Sequence, residues 1–173
     1  MSRDYPDWID ADRAARGNRR FRGTMRLDRM PRIVDLLESP EADDEIGFEI
    51  DAWRDEQGHA RLDVRLEGEV PLRCQRTLER YLQPVASSTR LAVVSSERQA
   101  EGLPEDVEPK LAEDGRLELE DVVADELLLS LPLVPVRPDT ERVVGAGDRF
   151  EEPEEEPGPF AELARMKSDR SKD

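Results

Sequence analysis

The chain has 173 residues, of which 36% are hydrophobic and 39% charged, with a formal charge of -16. There is room for one domain with a thin core and an extensive solvated surface. It contains no run of roughly 18 or more apolar residues and so no membrane-spanning helix, and its single cysteine, Cys74, excludes an internal disulfide.

The first seven residues lack the apolar stretch of a secretory leader, which makes a reducing, cytoplasmic address the expectation. Charge is unevenly placed. Residues 1–37 carry nine arginines against six aspartates, a balance of +3 that leaves -19 for the remainder. Between residues 13 and 32, Arg13, Arg16, Arg19, Arg20, Arg22, Arg26, Arg29 and Arg32 face only Asp28.

In chain order, residues 7–16 read as a short helix with Trp8, Ile9 and Ala11 or Ala15 on its apolar side, ended by Gly17 and Asn18. Residues 19–27 alternate Phe21, Gly23, Met25 and Leu27 with Arg20, Arg22, Thr24 and Arg26, the pattern of a strand with an arginine-rich outer face. Asp28 is placed to cap a helix reaching Glu38, with Met30, Ile33, Val34 and Leu37 as its stripe.

The clearest signal follows. Ile46, Phe48, Ile50 and Ala52 alternate with polar residues; then, across a turn at residues 55–58, Leu62, Val64, Leu66, Val70, Leu72 and Cys74 share one parity. Arg61, Asp63, Arg65, Glu67, Glu69 and Arg73 share the other. Strict period two on both sides of a short glycine-containing link predicts a half-buried antiparallel hairpin.

A further strand is expected over residues 81–94, at an edge or bulged at Pro84. A loop follows over 95–106, then short strands over 107–111 and 116–119 about a turn at 113–115. A buried helix is expected over 120–131, stopped by Pro132 and leaving as an extended segment through Pro135. From residue 138 onward the acidic run Glu151 to Pro157 predicts a solvated tail, interrupted by a small apolar stripe at Phe160, Leu163 and Met166 that could dock a partner or tuck against its own domain.

These elements predict an α+β domain over residues 1–137: a curved, mainly antiparallel β-sheet or partly closed barrel with two or three packed helices. A flexible acidic tail with a short PFAEL motif occupies residues 138–173. The expected core includes Phe21, Ile33, Phe48, Ile50, Leu62, Val64, Leu66, Leu72, Val123 and Leu127.

Signs of catalysis are absent. His59, the sole histidine, sits at a turn with no nucleophile nearby in sequence, and a general base needs a positioned partner. A structural zinc site wants about four Cys or His ligands, whereas this chain has one of each. Phosphate-loop, dinucleotide and nucleophile-elbow motifs are missing. No cofactor, metal or small-molecule substrate is expected. The arginine-rich segment is the feature with a functional edge: Arg13, Arg16, Arg19, Arg20, Arg22 and Arg26 could contact phosphates beside Phe21, unless they pair with the protein's own carboxylates.

Three phrases resemble the large ribosomal RNA subunit accumulation protein family, often called YceD-like. Val70 to Thr77 is similar to its Leu-x-Cys-x-Arg-Cys turn. The helix ending in Leu127, Leu128 and Leu129, followed by Pro132 and Pro135, is similar to its leucine-rich helix and Pro-x-x-Pro exit. Gly158 to Leu163 is similar to its Pro-Phe-Ala-x-Leu phrase. The resemblance marks Cys74, Arg76, Asp125, Glu126, Pro132 and Pro135 as motif positions. It departs at Thr77, where the family has a second cysteine, and at Arg137, where some relatives carry Cys or His, so a metal or redox role for paired cysteines is not essential here.

The resemblance implies a non-enzymatic role in synthesis, processing or accumulation of 23S ribosomal RNA. The partner would be precursor large-subunit RNA, met by the arginine face, or a basic large-subunit ribosomal protein, held by the acidic surface. A generic adaptor anchored by Phe160 and Leu163, or a carboxylate-based metal-dependent hydrolase, is the alternative.

Overall fold

The alternating residues of the predicted hairpin lie at the centre of the domain, and the other elements are arranged around them. The computed structural model describes residues 5–104, 106–112 and 114–138. In chain order the elements are β1 (Trp8–Asp10), α1 (Ala11–Arg16), β2 (Arg20–Arg26), two single 3-10 turns (Leu27–Arg29 and Val34–Leu36), β3 (Glu45–Arg54), β4 (Ala60–Arg73), β5 (Arg80–Val94), α2 (Glu97–Ala100), β6 (Glu108–Leu111), β7 (Arg116–Glu118) and α3 (Leu119–Ser130).

One sheet runs β2-β3-β4-β5-β6, and β1 and β7 form a separate antiparallel pair. The fold is α+β and mostly antiparallel, with β6 joining β5 in parallel. The sheet is open, with β2 and β6 as its edges, so the barrel alternative is not realised.

Register explains the core. Ile50 lies opposite Val64, Phe48 opposite Leu66, and Ala52 opposite Leu62, all on one face and all buried. The link turns at Gly58, whose φ of +87° suits a residue without a Cβ, while Asp55 N–H donates to the His59 carbonyl at 3.1 Å. Complete burial of each such aliphatic side chain contributes about 1.5–3 kcal/mol. Helix α3 adds Leu119, Val122, Val123 and Leu127 to the same core. Pro132 ends it by forcing Leu131 into an extended conformation, φ -75° and ψ 141°. Every expected core residue is buried except Phe21, which is partly buried and packs against the cluster.

The N-terminal part departs from expectation. Trp8 to Asp10 are a strand, not helix: Ile9 pairs with Leu117, and the helix begins only at Ala11, with the Asp10 side chain accepting from Arg13 N–H at 2.8 Å. Ala11, Ala14 and Ala15 are small enough for α1 to pack closely onto β3 and β4. No α-helix forms over residues 28–38. Pro31 drives Met30 into an extended conformation, φ -94° and ψ 101°, and the chain makes two 3-10 turns that still bury Leu27, Met30 and Ile33.

Other departures are local. Arg61, on the polar parity of β4, is buried because Asp55 folds over it and accepts from its Nε and Nη2 at 2.9 and 2.7 Å. The strands flanking the turn at 113–115 pair with β5 and β1 rather than with each other, and the loop over 95–106 contains the short α2. Pro84 lies where β5 has only β4 as a neighbour, so its missing N–H breaks no ladder bond on the open side. Tyr5 crosses β2 at Gly23, its ring edge-on to Phe48 at 4.8 Å and its hydroxyl donating to the Thr24 carbonyl at 3.0 Å.

Candidate binding faces

Pairing β2 against β3 sets Arg20 opposite Asp51 and Arg22 opposite Glu49 on the face away from the core. The next strands set Arg65 opposite Glu49 and Arg90 opposite Asp63. Guanidinium and carboxylate alternate in the row Arg22–Glu49–Arg65, whereas in the row Arg20–Asp51–Asp63–Arg90 two neighbouring carboxylates lie between two guanidiniums. Arg20 donates to Asp51 at 2.5 Å, Arg65 to Glu49 at 2.7 Å and to Asp51 at 3.2 Å, and Arg90 to Asp63 at 3.3 Å. Opposed charges of this kind stabilise cross-strand pairs modestly where solvent reaches them. The bond to Asp51 raises the Arg20 pKa further.

The six arginine candidates divide. Arg16 pairs with Asp12 at 3.3 Å, Arg20 with Asp51, and Arg26 with Asp28 at 2.6 Å, a contact that holds Asp28 below the ordinary carboxylate value. Arg13, Arg19 and Arg22 make no ion pair among the described residues. An open groove of about 1360 Å³ runs across β2 to β5, where Arg19, Arg20, Arg22 and Arg65 meet Glu49 and Glu67. A second groove, about 830 Å³, has the opposite balance: Arg22, Arg26 and Arg29 are outnumbered by Asp7, Glu45, Glu118, Glu120 and Asp121. Phe160, Leu163 and Met166 lie outside the described residues.

The motif positions fall into two clusters. In the first, the β4–β5 turn is closed by Leu78 N–H donating to the Cys74 carbonyl at 2.8 Å. The exit segment docks on it: Gln75 N–H donates to the Pro135 carbonyl at 2.8 Å, and Arg137 N–H approaches the Cys74 sulfur at 3.5 Å. Pro132 and Pro135 thus keep the exit extended so that it reaches this turn, and Arg76 belongs to the same turn. Cys74 is fully buried. Hydrogen bonds from the Thr77 hydroxyl and Arg137 N–H lower its pKa from 9.0 to about 6 against the desolvation that raises it. Thr77, where the family phrase has cysteine, thus serves as a donor to the sulfur.

The second cluster is on α3. Asp125 binds Arg32 at 2.5 Å and also Lys110, tying the segment after the first 3-10 turn and β6 to the helix. Partial burial pushes its carboxyl up, but the two cations prevail and hold it below the usual value. Glu126 is 5% exposed and accepts from the Ser87 and Thr89 hydroxyls. Its burial had no signal in the sequence beyond the motif, because the hydroxyls that satisfy it come from a strand almost forty residues away.

Comparison with known proteins bears on these same elements. The family model for large ribosomal RNA subunit accumulation protein YceD matches residues 62–167, from β4 through α3 and beyond. The chain belongs to the YceD family. A curated YceD relative from Haemophilus influenzae (strain ATCC 51907 / DSM 11121 / KW20 / Rd), named large ribosomal RNA subunit accumulation protein, is 37% identical over 117 residues. The alignment covers 64% of this chain and 64% of the relative, so the chain spans less than two thirds of that relative's length. No solved structure matches. Among the described residues no helix is long and apolar enough to cross a membrane, and no three Asp, Glu, His or Cys side chains converge as metal ligands. The YceD match begins at β4, so both motif clusters fall inside it while the arginine-rich β2 precedes it.

Proposed function

We propose that this chain supports accumulation of large-subunit 23S ribosomal RNA without turnover, by holding a basic ribosomal protein of the large subunit. The family description supplies the process. The observation that carries the mechanism is how the domain uses its charges. Arg20, Arg26, Arg32, Arg65, Arg80 and Arg90 are engaged by the protein's own carboxylates, whereas Glu56, Glu67, Glu69, Glu97 and Glu108 make no ion pair among the described residues. Arg13, Arg19 and Arg22 also make no ion pair among the described residues, but unpaired carboxylates outnumber unpaired guanidiniums. What remains for a partner is acidic on balance, which steers cations toward the surface and repels polyanions.

A second reading rests on the groove across β2 to β5. There Arg19 and Arg22 make no ion pair among the described residues, and four arginines line the groove with two glutamates, a local field that suits phosphate. The two readings are separated by purifying the tagged full chain at low and moderate salt, with and without ribonuclease. Basic large-subunit proteins retained after ribonuclease are the expected result. Precursor RNA that survives removal of proteins, is lost steeply with salt and is lost in Arg19→Glu/Arg22→Glu would shift the function to the second reading. Recovery of neither would refute both.

A further inference from the structure

Helix α3 and strand β6 enclose a groove of about 290 Å³ with aliphatic walls from Leu91, Val122, Leu128 and Leu129. Leu129 forms an outer lip, 71% exposed although it follows two turns of buried helix. Glu108, Lys110, Asp125 and Glu126 also line the groove, and their pairing is uneven. Lys110 is taken by Asp125, which holds Arg32 as well. Glu108 and Glu126 have no cation among the described residues.

Glu126 is the unusual member. A carboxylate this buried is costly unless charge or hydrogen bonds compensate it. Its two hydroxyl donors, from Ser87 and Thr89, both reach the same oxygen, Oε1, so Oε2 receives no donor from the described side chains. The groove therefore combines an aliphatic channel with a carboxylate at its wall that lacks a cation and a second carboxylate, Glu108, on the opposite element. Long cationic side chains have the matching form: a methylene stem that packs on apolar surface and a charged head that donates several hydrogen bonds.

We propose that the α3–β6 groove is a docking site for a lysine or arginine side chain flanked by aliphatic residues, presented by a basic protein. This rests on the basic-protein reading of the function and names the surface and the chemistry of its partner. The stem lies against Leu91, Leu128 and Leu129, and the head reaches Glu126 Oε2 and Glu108. Nucleic acid does not fit, because three carboxylates and one already paired ammonium repel phosphate.

The test uses the full chain and two short acetylated peptides, one with an arginine between leucines and one with neutral citrulline in its place. Binding is followed by backbone amide shifts and by calorimetry. The arginine peptide should shift amides of α3 and β6 and bind about tenfold more tightly than the citrulline peptide. Glu126→Gln, which keeps an acceptor for Ser87 and Thr89, should remove that tenfold preference; Leu129→Ser, at an exposed position, should weaken both peptides. Equal affinity for the two peptides, or an equal loss on changing the remote Glu56 and Glu97 to glutamine, overturns the proposal as mere net charge.

The intact chain then separates the two levels of inference. A ribosomal protein held equally by the wild type and Leu129→Ser refutes the groove and leaves the functional reading standing. Selective peptide binding with no ribosomal protein retained refutes the functional reading and leaves the groove standing.

Discussion

Gly23 sits where the Tyr5 ring crosses β2. A Cβ built there would lie 2.6 Å from two ring carbons of Tyr5 and 3.3 Å from Phe48. Gly23→Ala must therefore displace Tyr5, because the Tyr5 ring is only partly buried whereas Phe48 is buried in the core. The edge-to-face contact with Phe48 is worth about 0.5–1.5 kcal/mol. The hydroxyl bond to the Thr24 carbonyl adds about 1 kcal/mol. Against these, alanine in a strand recovers about 0.5–1 kcal/mol of backbone entropy.

The net cost of Gly23→Ala is then about 1 kcal/mol, and its sign depends on Tyr5. In a Tyr5→Ala background the same substitution should be neutral or slightly stabilising, giving a coupling energy of about 1.5–2.5 kcal/mol. Urea unfolding followed by tryptophan fluorescence measures all four corners of the cycle. An equal cost with and without Tyr5 would refute the reasoning and place the strain in β2 itself.

Arg61→Met should cost about 2–3 kcal/mol in urea, since it strips two charge-assisted bonds from Asp55 at the hairpin turn; Arg61→Lys should recover only part, lacking the second donor nitrogen of the planar guanidinium fork. The carboxyls of Asp28, Asp55 and Asp125 are all held below their ordinary 3.8 in the fold. Each thus contributes stability that is fully present above that value and lost as pH falls through the lowered one, so the urea midpoint should hold from neutral pH to about 5 and decline below about 4. Asp55→Asn should flatten that decline. Thr77→Val should move the Cys74 thiolate titration, read by ultraviolet absorbance, upward from about 6 toward 9.0; since a lowered thiol pKa adds stability as pH rises from 6 to 9, the variant should also lose that gain. A midpoint unchanged by the substitution would remove Thr77 as the cause.

The hairpin and α3 were legible because their periodicity is carried by many residues in succession, and parity assigns the core face of β3 and β4 correctly. Where the pattern is short, or where a distant partner decides, the sequence reads ambiguously. Met30, Ile33, Val34 and Leu37 have helical spacing, but Pro31 blocks the conformation; tertiary packing keeps Met30 and Ile33 inside without a helix and leaves Val34 and Leu37 partly buried. Trp8 to Asp10 are too few to show alternation, and their strand partner is more than a hundred residues away.

Arg61 shows that parity fails where a turn residue folds back over a strand. The arginine face was visible, and so was the alternative that it pairs with the protein's own carboxylates; which arginines pair was not, because register against Glu49 and Asp51 is a property of pairing. The YceD phrases pointed to Asp125 and Glu126 without distinguishing a surface tie from a buried acceptor, a difference made by Lys110, Ser87 and Thr89 from other elements.

The pairing of β1 with β7 also has a consequence for biosynthesis. Ile9 finds its partner only at Leu117, so a chain emerging from the ribosome must extend by about a hundred residues before its first strand can settle. At about 5–20 residues per second that interval is several seconds or more. The β2–β5 meander has all its partners earlier and can form during the wait. Residues 8–10 are then among the last of this domain to be fastened, leaving Trp8 accessible to nascent-chain factors throughout that interval.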